Sequence, residues 1–107
     1  MKSPKVISDL IEAHNNSNSA AFTECFSESA SVTDEGQTYN GKVEIERWIK
    51  KAQEKYQTHV KPLSYEEKGD NSLLSAEVSG NFDGSPAILK YQFGLQDGYI
   101  SSLSITG

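Results

Sequence analysis

Asp34 is the residue best placed by its neighbours to do chemistry. It ends the run Ala30–Asp34, which reads as a short strand with Ala30, Val32 and Asp34 on one face and Ser31, Thr33 and Glu35 on the other. Parity with Val32 turns the carboxylate inward. Beside Trp48 or a tyrosine it would be desolvated and its pKa raised, as a general base requires. The competing reading has Asp34 merely capping the turn at Glu35–Gly36. His14 is the second candidate. It lies one turn after Leu10 on the apolar face of the first helix, where it could relay a proton to or from Asp34 or simply bond a backbone group in the core. Trp48, Tyr56 and Tyr91 are the expected aromatic walls of a pocket, with Tyr39 at its rim. Trp48, the single tryptophan, could stack on a flat ligand or fill the core, and the stripe it belongs to favours the core. The Tyr91 hydroxyl needs a partner if buried, and a ligand can supply one.

Other reactive residue types carry less. His59 begins a strand and is expected at its solvated end. The two histidines show neither HxxxH nor HxH spacing, so no metal site is expected. Cys25 lies between Glu24 and Phe26, with no cation nearby in sequence to lower its pKa, and reads as a small core residue. Glu66 and Glu67 alternate across a strand and are expected in solvent. There is no glycine-rich phosphate loop and no Ser-His-Asp arrangement, and no cofactor is implied.

These residues must be positioned by helices and strands that the hydrophobic periods outline. Ser3 and Pro4 read as the N-cap and first position of a helix whose face carries Val6, Ile7, Leu10, Ile11 and His14. The polar run Asn15–Ser19 ends it. A short second helix, Ser19 to about Ser27, presents Phe22, Cys25 and Phe26. The strand Ala30–Asp34 and a brief partner at Thr38–Tyr39 follow. A third helix, Lys42 to about Tyr56, carries the stripe Ile45, Trp48, Ile49, Ala52 and Tyr56, with Glu44 and Glu46 early and Lys50, Lys51 and Lys55 late, as the helix dipole favours. Then come four strands, Thr58–Lys68, Ser72–Phe82, Ala87–Gln96 and Tyr99–Thr106. Turns at Gly69-Asp70-Asn71, Asp83-Gly84-Ser85-Pro86 and Asp97-Gly98 separate them. Leu74, Ala76 and Val78, and likewise Leu89, Tyr91, Phe93 and Leu95, alternate with polar residues, which suits antiparallel strands buried on one face.

The expected architecture is therefore α+β and a single domain spanning residues 1–107. The order is helix, helix, two short strands, helix, then four longer strands. Three helices cannot cover both faces of such a sheet and should pack on its concave side. The other face carries Leu73 and Ile88 among Ser75, Glu77, Lys90 and Gln92. It could be solvated or form a homodimer interface, and the dimer is expected.

Composition narrows the partners. Hydrophobic residues are only 36% of the chain, offset by five Tyr, four Phe and one Trp, each of which buries a large area. The net charge of −5 repels phosphate backbones and anionic lipid, which argues against nucleic acid and membrane partners. One cysteine excludes an intramolecular disulfide. No apolar run has the length of a signal peptide core or a membrane span, so a cytoplasmic location is expected.

This order of elements resembles the nuclear transport factor 2-like superfamily, and its SnoaL-like, ketosteroid-isomerase-like group in particular. Three stretches carry the resemblance over almost the full length: AAFTECFSESASVTDEG, YNGKVEIERWI and LKYQFGLQDGYISSLSI. It implies a cone-shaped helix–sheet domain with an internal pocket for a small, mostly apolar molecule. By resemblance, Asp34 falls where ketosteroid isomerases keep their catalytic base. Their helix tyrosine falls at about Leu10, and their protonated acid on the penultimate strand at about Leu89. Neither leucine can donate a hydrogen bond to an enolate oxygen, so steroid isomerisation itself is not expected unless His14 or Tyr91 substitutes. What remains is a cofactor-independent proton-transfer enzyme of isomerase, cyclase or dehydratase type, or a non-catalytic binding or interaction module.

Overall fold

A computed structural model describes residues 3–69 and 71–107. Met1, Lys2 and Asp70 lie outside the described residues, so the centre of the turn expected at Gly69–Asn71 is not described. The chain forms three helices and six strands, in the order α1 (Lys5–Asn15), α2 (Ser19–Glu24), β1 (Phe26–Asp34), β2 (Gln37–Asn40), α3 (Gly41–Tyr56), β3 (His59–Lys68), β4 (Asn71–Ser79), β5 (Ala87–Gln96) and β6 (Tyr99–Thr106). The strands make one curved sheet ordered β2-β1-β6-β5-β4-β3.

The sheet corrects the expectation of purely antiparallel pairing, because β1 and β6 run parallel. The path of the chain explains this. The hairpin β1–β2 hands over to α3, which carries the chain across to the far edge, where β3 starts. Three antiparallel steps then walk back through β4 and β5. They leave β6 beside β1 and pointing the same way, as a long crossover connection permits.

Several boundaries differ from those the residues suggest. Pro4, not Ser3, is the N-cap of α1, and its carbonyl accepts from the Ile7 and Ser8 amides. The second helix stops at Glu24, because the Cys25 carbonyl accepts from the Ile100 amide at 2.9 Å and draws the chain into the sheet. β1 therefore begins at Phe26, and a register shift between Phe26 and Ser31 takes up the irregularity. β4 ends at Ser79, where the Gly80 amide turns to the Ser85 hydroxyl at 2.9 Å.

All three helices pack on one face of the sheet. Ile7 and Leu10 of α1, Phe22 of α2 and Ile45 and Ile49 of α3 meet Phe26, Ala30, Val32, Leu74, Ala76, Phe93, Ile100 and Leu103 from the strands. Burying each large apolar side chain contributes about 1.5–3 kcal/mol. The outer face keeps Ile88 half exposed, beside the polar side chains of Lys90 and Gln92. No helix among the described residues is long and apolar enough to cross a membrane.

Two joints fix the helices to the edge strand β3. The Asn15 side chain donates to the Val60 carbonyl at 2.9 Å and accepts from the Val60 amide at 2.8 Å, acting as one further strand partner. Gln53 of α3 accepts from the Thr58 amide and hydroxyl and donates to the carbonyls of Thr58 and His14.

Candidate functional site

Asp34 ends β1, opposite Gln37 of β2 on one side and Ile105 of β6 on the other. It shares the inward face with Val32, which is fully buried, but Asp34 itself is only half covered. Ile105 and Leu89, which also face inward, are likewise only partly buried. The inner face is thus sealed around Val32, Phe93 and Leu74 and incompletely covered towards Asp34.

The electrostatics follow from this placement. Burial pushes the Asp34 carboxyl above its ordinary value of 3.8, and the neighbouring Glu35 charge pushes the same way. The Trp48 indole N–H and the Glu35 backbone favour the ionised form and partly offset the rise. Among the described residues Asp34 forms no ion pair, and the charged group that shifts it is another carboxylate, Glu35.

Two aromatic side chains, Trp48 and Tyr91, interact with it, and a third stacks on Trp48. Trp48 stacks on Tyr39 at 5.7 Å between ring centres and 28° between planes. The Tyr39 hydroxyl donates to Gln37 Oε1 at 3.1 Å, which ties the ring pair to the strand beside Asp34. Tyr91 stacks on Phe93 at 6.3 Å and is 8% exposed. Burial raises the Tyr91 phenol far above its ordinary value, and the Asp34 charge adds to the rise. Among the described residues its hydroxyl has no protein hydrogen-bond partner. Asp34 and Tyr91 are therefore within electrostatic reach but share no hydrogen bond.

The remaining candidates lie elsewhere. His14 Nε2 is 2.8 Å from the Thr58 hydroxyl, beside the start of β3 at the sheet's far edge from Asp34. Its ring packs on Phe22 at 6.0 Å, and Phe22 in turn on Trp48 at 6.0 Å, so two rings stand between it and Asp34. Burial lowers the His14 pKa from 6.5 to about 4, with the nearby His59 acting in the same direction. The structure thus places His14 in a core joint and does not bring it to the carboxylate. Tyr56 meets Phe82 edge to face at 6.3 Å, with Lys55 over its ring at 5.1 Å. Cys25 is buried and donates to the Ala21 carbonyl, and burial raises its pKa. His59, Glu66 and Glu67 are exposed.

Gln37 and Ile105 were missed by reading the sequence. The odd-numbered parity of Ile105 becomes legible only once β6 is known to pair with β1. Three surface concavities of about 640, 730 and 390 Å3 lie between α1 and α2, around His14 and Gln53, and on the outer sheet face. Asp34, Trp48 and Tyr91 line none of these three.

No family model matches the chain, and no curated protein matches it in sequence. Solved structures do match it. A protein of Sinorhizobium meliloti described as a candidate polyketide cyclase is 36% identical, with 97% of this chain and 95% of that chain covered and a TM-score of 0.94. A nuclear transport factor 2-like protein of unknown function from Cytophaga hutchinsonii is 17% identical, with coverage of 99% and 90% and a TM-score of 0.81. A candidate ketosteroid isomerase from Kribbella flavida is 10% identical, with coverage of 95% and 74% and a TM-score of 0.82. The two distant structures share the fold. With the first they place this chain by fold and sequence together: it belongs to the nuclear transport factor 2-like superfamily, in its SnoaL-like group.

Proposed function

We propose that the domain holds a small, mostly apolar molecule on the inner face of its sheet at the Asp34 end. Asp34 takes a proton from that molecule, next to a carbonyl, in a cofactor-independent reaction of isomerase, cyclase or dehydratase type. The helices and curved sheet are read as a cone with its open end at Asp34. The observation that carries the reading is a half-buried carboxylate, raised in pKa by desolvation, among Trp48, Tyr39 and Tyr91 where the inner face is incompletely covered. The 36% identical protein described as a candidate polyketide cyclase supports the same class of chemistry. His14 has no part in the step, and Tyr91 is the available donor to a developing enolate oxygen.

The test is hydrogen–deuterium exchange at the acidic C–H positions of small cyclic ketones and 1,3-dicarbonyl compounds, followed by NMR in deuterated water. The protein is expected to accelerate exchange on one or more of them, and Asp34→Asn is expected to abolish this with the fold intact. Equal rates for the two proteins would contradict the assignment of Asp34 as base.

A second reading is a non-catalytic binding module, probed by ligand affinity without turnover. Its support is that Leu10 is buried and Leu89 partly buried, and neither can donate to an oxyanion. Under both readings the chain pairs as a homodimer through the outer sheet face around Leu73, Ile88 and Gln92. Ile88→Glu should then convert a dimer to a monomer in light scattering.

A further inference from the structure

The cleft of about 730 Å3 around His14 lies apart from Asp34, with Phe22 and Trp48 between them. Hydrogen bonds at its wall fix where the imidazole carries its proton. The Thr58 amide donates to Gln53 Oε1 at 3.1 Å, while Gln53 Nε2 donates to the carbonyls of His14 and Thr58. Oε1 is therefore an acceptor, and the Thr58 hydroxyl, 2.7 Å away, donates to it. A hydroxyl has one proton to give. Towards His14 Nε2, at 2.8 Å, the Thr58 oxygen can only accept, so Nε2 carries the imidazole proton. The neutral ring has one such proton, which leaves Nδ1 with its lone pair.

Nδ1 has no protein partner among the described residues. It is not sealed in the core either, because Ser72 Oγ is the one side-chain nitrogen or oxygen among them that is both buried and unpartnered. His14 lines the cleft together with the apolar residues Ala13, Phe22 and Ile49. Burial lowers its pKa to about 4, so the lone pair persists through neutral and mildly acidic solution.

We propose that this cleft is a second ligand site, for a small apolar molecule bearing a neutral hydroxyl that donates to His14 Nδ1. An unprotonated ring nitrogen accepts from an O–H and has nothing to give a carboxylate or a carbonyl. The apolar body of the ligand rests on Ala13, Phe22 and Ile49, and the Gln53–Thr58 joint holds the imidazole in one tautomer. An apolar wall with one fixed polar atom orients a small ligand. The site is independent of the reaction at Asp34.

Nitrogen-15 NMR of His14 near pH 7 tests the tautomer. Nε2 is expected to be protonated and Nδ1 bare, and a proton on Nδ1 would overturn the proposal. Phenol and its methyl ether, anisole, differ in the hydroxyl proton and test the ligand. Phenol is expected to move the Nδ1 resonance and to bind about fivefold more tightly than anisole, as one hydrogen bond is worth. Thr58→Val removes the acceptor for Nε2 and lets the ring proton move, so it should erase most of that preference with the imidazole still in place. His14→Phe, which keeps a ring against Phe22, should erase it too. Anisole binding as well as phenol, a preference kept in His14→Phe, or no His14 resonance moving with either compound would each overturn the assignment.

Discussion

Asp34 and Tyr91 stand in one transverse row of the sheet, on β1 and β5, with Ile105 of β6 paired to both. Two strand spacings put their backbones about 10 Å apart. Both side chains face the inner side of the sheet, near enough for the carboxylate to raise the phenol's pKa without a hydrogen bond between them. Tyr91→Phe removes a hydroxyl that has no protein partner among the described residues. It should change stability by less than about 1 kcal/mol in urea titrations. A loss above about 2 kcal/mol would show that the hydroxyl is held by the protein itself.

His14 makes stability depend on pH. The unfolded imidazole takes up its proton near 6.5 and the folded one only near 4. Between these values the unfolded state binds more protons, so stability is full above about pH 6.5 and falls as pH drops towards 4, by at most about 3 kcal/mol. Asp34 acts the other way, because its raised folded pKa removes stability as pH rises through the carboxylate range. Comparing urea midpoints of the protein and His14→Gln across this range isolates the histidine, and the variant should show the shallower slope.

Asn15→Ala should cost about 2–3 kcal/mol, since it deletes both hydrogen bonds to Val60 and leaves the start of the edge strand unpaired. Hydrogen exchange should show the Val60 amide losing protection before the rest of β3. Unchanged protection there would mean that water replaces the amide at no cost.

Gly80→Ala should destabilise although its backbone conformation is ordinary. The added Cβ would lie 2.7 Å from the Tyr56 carbonyl oxygen and 2.8 Å from Thr58 Cγ2. The α3–β3 joint would have to open, at a cost of about 1–3 kcal/mol by thermal unfolding. A neutral effect would show that this joint is looser than its contacts imply.

Much of the fold was legible because period and parity are local signals. The stripe on α3 and the alternation in β4 and β5 gave their buried faces directly. The inward turn of Asp34 followed from its parity with Val32. What stayed hidden depends on partners distant in the chain. The parallel β1–β6 pair cannot be read from either strand alone. In β3 a register shift between Pro62 and Ser64 moves the inward set from Val60 and Pro62 to Tyr65, so simple alternation misassigns its second half. His14 lies on the buried face as its helix position implied, but Phe22 from α2 stands in its path and Thr58 satisfies its ring. The helix pattern shows that a side chain is covered without showing by what.

The Asp34 carboxylate turns inward, half withdrawn from water and with no cation among the described residues to hold it ionised. Carbon-13 NMR of the Asp34 carboxyl through an acid titration tests this most directly. The expected midpoint lies clearly above the ordinary 3.8 and moves down when Glu35 is replaced by Gln. A midpoint at or below that value, unmoved by the substitution, would place the carboxylate in water and contradict it.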